Sequence, residues 1–153
     1  MVNVGVLVVS SKILEGEPDS CRKILEECLT NHQMSLVSYE VVADDRILVT
    51  KQLERMCHET APSVLLTVGG TGVRPADWVP EATRDVIEKE IPGIGEAMRA
   101  ESIKTVRTAM LSRGTAGIKG GTLIINLPGS PKGIKANFEV VAPLLEHIVE
   151  KCS

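Results

Sequence analysis

Three short runs of this chain are apolar at nearly every position: Val2 to Val9 (VNVGVLVV), Val64 to Val68 (VLLTV) and Thr122 to Leu127 (TLIINL). A strand with one wet face alternates apolar and polar residues. A run that is apolar on both faces belongs inside a sheet covered on both sides. Between these runs the spacing turns helical: CRKILEECLTNH sets Ile24, Leu25, Cys28 and Leu29 on one face, and Ile47 to Met56 repeats the pattern. Leu36 to Val42 reads as a further strand. Strands alternating with helices predict βαβ units, hence an α/β fold with a mostly parallel sheet. With no linker, repeat or low-complexity tract, residues 1–153 are expected to form a single domain.

The remaining segments are read more locally. SSKILEGEPDS is expected as a polar loop. PEATRDVIEKE is expected as a helix with Pro80 at its first position and Pro92-Gly93 at its end. IGEAMRAESIKT reads as another helix, and Pro143 is expected to start a separate final one.

Composition narrows the ligand. The net charge is −3 and aromatic residues make up 2% of the chain, which argues against a nucleic-acid surface built on a basic face or on stacking platforms. Cys21, Cys28, Cys57 and Cys152 form no C-x-x-C pair, and the apolar start lacks a basic flank and a cleavage site. No apolar run reaches membrane-spanning length. A reduced, cytoplasmic setting without membrane attachment is the expectation.

In open α/β sheets ligands sit beyond the carboxyl ends of the strands. Three segments fall there: Asp44, the loop Gly69-Gly70-Thr71-Gly72, and Pro128-Gly129-Ser130. Glycines allow close backbone approach and free N–H groups suited to phosphate, although a glycine loop after a strand can equally serve to turn the chain. The pattern is neither a Walker loop nor G-x-G-x-x-G. Asp77 and Asp44 each read as a turn or capping residue or as a ligand for a hard divalent ion. Glu81 opens the helix behind the loop, where the dipole favours it. Arg113, Lys132 and Lys135 read as phosphate partners or as solvated cations. His32, His58 and His147 show no ligand spacing.

Taken together, GGTG, P-x-D-x-x-PEAT, AMRAESIK and AMLSRGTAGIKGGTLIINLPGSPKG resemble the molybdopterin-binding family of molybdenum cofactor biosynthesis. The resemblance is to the branch of the gephyrin amino-terminal domain and the bacterial molybdopterin adenylyltransferases. It implies a three-layer α/β/α sandwich, assembled as a homotrimer, that transfers AMP from Mg-ATP to the terminal phosphate of molybdopterin and releases pyrophosphate. It further implies that Gly69, Gly70, Thr71, Gly72 and Glu81 serve the nucleotide and its phosphates. Asp77 and Asp44 would be the catalytic, Mg²⁺-organising carboxylates. Ser102, Ser112, Arg113, Pro128, Gly129, Ser130 and Lys132 would serve molybdopterin. A separate molybdate-inserting protein would receive the product.

The chain departs from the family pattern at several places. The usual Val-Ser-Asp after the first strand is Val9-Ser10-Ser11, and Asp-x-Ser-Gly survives as Asp19-Ser20-Cys21. Pro-Arg-Asp has become Pro75-Ala76-Asp77, with an arginine at Arg74, and the usual threonine before Pro-Glu is Val79. Arg74 either supplies the displaced guanidinium or points elsewhere. Two other readings stand beside the enzyme: a catalytically weak binding and scaffold module, and a nucleotide-binding domain with another substrate.

Overall fold

The valine-rich start of the chain becomes the second strand of a six-stranded sheet. The computed structural model describes residues 1–153. Strands β1 (Asn3–Val9), β2 (Ser35–Val42), β3 (Val64–Val68) and β6 (Thr122–Leu127) are parallel, and β5 (Ala116–Lys119) runs against its neighbours β6 and β4 (Lys89–Glu90). The order across the sheet is β2-β1-β3-β6-β5-β4.

Period two along the central strands explains why both of their faces are apolar. Val4, Val6 and Val8 of β1, with Val64, Leu66 and Val68 of β3 and Leu123, Ile125 and Leu127 of β6, face one core. That core is closed by helices α2 (Arg22–Asn31), α5 (Pro92–Ser102) and α6 (Pro131–Cys152) through Leu25, Cys28, Met98, Ile134, Phe138 and Leu145. Leu7, Val9, Leu65 and Ile124 face the other core, closed by α3 (Arg46–Glu59) and α4 (Val79–Val86) through Val49, Leu53, Met56, Ala82 and Val86. Helix, sheet and helix make three layers, as expected. No helix is long and apolar enough to cross a membrane.

Four local expectations are corrected. Pro143 does not start a new helix; α6 runs unbroken from Pro131 to Cys152. The proline removes one backbone donor, but it lies on the exposed side, while Val141, Ala142 and Leu145 stay buried and carry the helix across it. Pro92-Gly93 does not end the preceding helix: α4 stops at Val86, Ile87 turns extended, and Lys89–Glu90 pair with β5 before Pro92 opens α5. Pro80 is the second helical residue rather than the first, after Val79. The expected polar loop after β1 contains a short helix α1 (Ser11–Leu14), capped by the Ser10 hydroxyl, which accepts from the N–H of Ile13 at 3.2 Å.

Candidate active site

Four chain segments meet at the carboxyl ends of the parallel strands: Ser10-Ser11 after β1, Asp44 after β2, Gly69 to Gly72 after β3 and Pro128 to Ser130 after β6. The chain leaves β1 toward β2 on one side and β3 on the other. This is the switch point where such sheets open a crevice.

The glycine loop needs its glycines. Gly69 and Gly70 have φ of 98° and 68°, in the left-handed region that side chains disfavour. A Cβ on Gly69 would stand 2.8 Å from the carbonyl oxygen of Val9, and one on Gly70 would collide with Cγ2 of Val79. Gly69→Ala therefore combines backbone strain of about 1–2 kcal/mol with a clash against main chain. The expected result is a stability loss of about 2–3 kcal/mol in urea unfolding; an unchanged midpoint would mean the loop relaxes freely. The N–H groups of Gly70, Thr71 and Gly72 donate to no backbone carbonyl, which leaves them available to an anion.

Arg113 holds this loop from beneath. Its backbone N–H donates to Thr71 O (2.8 Å), its Nε to Gly72 O (2.8 Å), its Nη2 to Asp77 O (2.7 Å) and its Nη1 to Glu81 Oε2 (2.5 Å). The guanidinium is thus committed to the loop and to the first turn of α4. Its place in the site is as a strut for the glycine loop. Burial pushes the Glu81 carboxyl up, but the Arg113 hydrogen bond, its own backbone N–H and the charges of Arg113 and Arg84 outweigh that, so it titrates below the usual 4.5. A depressed carboxyl contributes stability above pH 4.5 and loses it as pH falls through the folded value. Thermal midpoints of the parent and Glu81→Gln are accordingly expected to differ at pH 6 and to draw together as pH falls below 4.5. A constant gap across that range would contradict the assignment.

The two candidate carboxylates are held differently. Asp77 is 3% exposed; Oδ2 accepts from Arg74 N (2.9 Å) and Nε (3.2 Å), and Oδ1 from Arg74 Nη2 (3.0 Å). Gly72 leaves room for it, since a Cβ there would stand 2.9 Å from Oδ2. Asp44 Oδ2 accepts from Ser11 N at 3.0 Å, and the Ser11 hydroxyl accepts from Asp44 N at 2.9 Å. The residue that replaces the family's acidic position thus pairs with Asp44 rather than repelling it. No cluster of three or more His, Cys, Asp or Glu side chains suits a protein-only metal cage. Carboxylate oxygens are the donor type that a hard divalent ion such as Mg²⁺ prefers, commonly with water and phosphate as its other ligands.

Beside the loop lies a cleft of about 710 Å³. Of the residues expected to serve molybdopterin, it brings together Ser102, Ser112, Pro128, Ser130 and Lys132, and it takes in Thr71 and Gly72 from the phosphate loop. Gly69, Gly70, Asp44, Asp77, Glu81, Arg113 and Gly129 stand outside its lining. Gly129 instead packs on Gly69, where a Cβ would come within 3.3 Å of the Gly69 Cα, and its carbonyl accepts from Cys21 Sγ at 3.2 Å. Ser130 caps the 22-residue α6, its hydroxyl accepting from Gly133 N at 3.1 Å, so a helix N-terminus faces the cleft. The buried Ser102 hydroxyl has no partner within the chain. Lys135 is exposed and lies outside the cleft. A second concavity, about 580 Å³ along α2, has no hydrophobic lining and none of the expected site residues.

Arg99 lines the cleft and was not among the residues the sequence marked out. Its Nη1 donates to Gly114 O at 2.7 Å and reaches Ser112 O at 3.4 Å. Within AMRAES only Met98 is buried, so a lone arginine there carries the pattern of a solvated residue. Asn137, 9% exposed and tied to Gly133 O at 2.7 Å, lines the cleft too and was likewise not marked out by the sequence.

A three-layer sheet with a glycine loop and a cationic cleft at its switch point defines an anion- and nucleotide-handling α/β protein. Residues 5–147 match the model of the probable molybdopterin-binding domain, and the chain belongs to that family. The chain is 42% identical over 152 residues to the molybdopterin adenylyltransferase of Helicobacter pylori strain J99, covering 97% of this chain and 86% of that protein. It is 36% identical over 151 residues to the molybdopterin adenylyltransferase of Escherichia coli K12, covering 97% and 77% respectively. The solved molybdopterin biosynthesis enzyme MoaB of Thermus thermophilus superposes with a TM-score of 0.93 at 39% identity, over 99% of this chain and 96% of that one.

Proposed function

We propose that this protein is a molybdopterin adenylyltransferase acting in molybdenum cofactor biosynthesis, with ATP and molybdopterin as its substrates. The observation that carries the reading is the continuity of the phosphate loop with the cleft: Thr71 and Gly72 belong to both. Two anionic substrates bound on either side of these residues have their phosphates facing each other.

In the transfer, a terminal phosphate oxygen of molybdopterin attacks the α-phosphorus of ATP. A P–O bond to molybdopterin forms as the bond to pyrophosphate breaks. Such reactions ask a protein for positioning and charge neutralisation more than for covalent chemistry. The free N–H groups of Gly70 to Gly72 receive nucleotide phosphate, held in place by Arg113. Lys132, Arg99 and the α6 N-terminus meet the charge of molybdopterin, and the Ser102 hydroxyl finds its partner there. Asp77 and Asp44 are the residues that would hold Mg²⁺, which would supply charge neutralisation at the phosphates.

A homotrimer and a cytoplasmic location go with this reading, as does hand-over of the product to a separate molybdate-inserting protein. Ile103 and Met110 stay exposed outside the cleft, while the exposed Val106 and Leu111 line it. All four cysteines are free thiols. The scaffold alternative has one observation on its side: the guanidinium of Arg74 occupies Asp77. Pyrophosphate release separates the two. It is expected only when molybdopterin, ATP and magnesium are all present, and its absence in the complete mixture would sink the enzymatic reading.

A further inference from the structure

We infer that Arg74 is an exchangeable cover on Asp77: its guanidinium holds the carboxylate in the unliganded protein and passes to a nucleotide phosphate when metal and nucleotide enter. This deepens the proposed function and rests on its placing of Mg²⁺ at Asp77.

The asymmetry of the ion pair carries the argument. The Arg74 side chain is 74% exposed and the Asp77 side chain 2%. Asp77 is the only side-chain partner of Arg74, which donates to its carboxylate through Nε and Nη2. Asp77 is anchored without that guanidinium. Its N–H donates to Arg74 O at 2.9 Å, its carbonyl accepts from Arg113 at 2.7 Å, and Oδ2 keeps the backbone N–H of Arg74. When the guanidinium swings away, Oδ1 is left bare while the aspartate stays where it was. The carboxylate is then ready for a hard cation.

The charges favour the exchange. The charge of Arg74 lies within the field of Asp44 as well as of Asp77. A divalent ion balances that pair in full. Only the arginine end of the pair is exposed, so water can take over its guanidinium as it leaves while the incoming cation takes over the carboxylate, and the released guanidinium is a planar fork that matches phosphate oxygens. The segment Val73 to Ala76 that carries Arg74 is exposed throughout. The guanidinium missing from position 76 is thus supplied from position 74 in a form that also guards the site.

The test compares Arg74→Ala, Arg74→Lys and Asp77→Asn. Mn²⁺ binding is read by electron paramagnetic resonance without nucleotide, and ATP binding in its presence by calorimetry, with a thermal melt of each variant. Arg74→Ala is expected to bind Mn²⁺ about fivefold tighter and ATP about tenfold weaker, with Arg74→Lys between it and the parent. Opposite signs are what a merely structural arginine does not produce, since loss of loop structure weakens both. Mn²⁺ affinity unchanged or reduced in Arg74→Ala, while Asp77→Asn still loses the ion, overturns the cover and leaves the metal site standing. Mn²⁺ affinity unchanged in Asp77→Asn overturns the metal site and the cover together.

Discussion

Asp77→Asn is expected to lower the turnover number for AMP transfer by about a thousandfold, equivalent to about 4 kcal/mol of transition-state stabilisation. The substitution keeps the shape of the side chain. An asparagine oxygen still accepts from the Arg74 N–H, which now donates to Oδ2 at 2.9 Å, and the Asp77 carbonyl still receives Arg113. The thermal midpoint should therefore hardly move, because the exposed half of the Arg74 pair contributes little. What is lost is a formal charge in a buried position beside the phosphate loop. A fall in turnover with the fold intact separates a catalytic role from a capping role. Turnover within a few fold of the parent would return Asp77 to its reading as a turn residue.

The second large effect concerns stability. Asn126 lies in β6 directly beside Thr67 of β3, buried at 1% exposure. Its Nδ2 donates to Thr67 Oγ1 (3.0 Å) and Thr83 Oγ1 (2.9 Å), and its Oδ1 accepts from Thr115 N (3.1 Å). One side chain therefore joins β3, α4 and the entry to β5, all under the glycine loop. Asn126→Leu fills the same space but strands the Thr115 N–H and takes the donors from two buried hydroxyls. Orphaned buried polar groups cost about 1–3 kcal/mol each, so a total loss of about 3–4 kcal/mol is expected. For a domain of this size that lowers the melting midpoint by about 10 °C. A shift under about 2 °C would mean that the network contributes packing alone.

The sheet's centre was readable because burial on both faces leaves no choice of residue. Val4, Val6 and Val8 serve one core and Leu7 and Val9 the other, so the pattern appears in the letters themselves. The sheet's edge was not readable. Lys89 and Glu90 in β4 are exposed, and their strand identity comes from backbone pairing with Ile118 and Gly117. Pro143 misled for a related reason: a local rule about helix breaking was overridden by packing on either side of it. Within the site, the segments at strand ends could be placed, since topology alone brings them together. Which way a side chain points depends on tertiary partners. Arg113 read either as a phosphate partner or as a solvated cation, and its guanidinium is bonded to Gly72, Asp77 and Glu81. Arg99 was not marked out by the sequence and lies in the cleft. Long cations carry little positional signal, because the same flexible chain serves solvent, backbone or ligand.

The measurement that tests the central claim most directly is the mass spectrum of molybdopterin after incubation with the purified protein, ATP and magnesium. The account predicts a species heavier by one adenylyl group, formed with release of pyrophosphate and missing when magnesium is chelated. Molybdopterin recovered unchanged from a mixture in which it is shown to bind, with ATP intact, would contradict it and leave a protein that holds its ligand without transforming it.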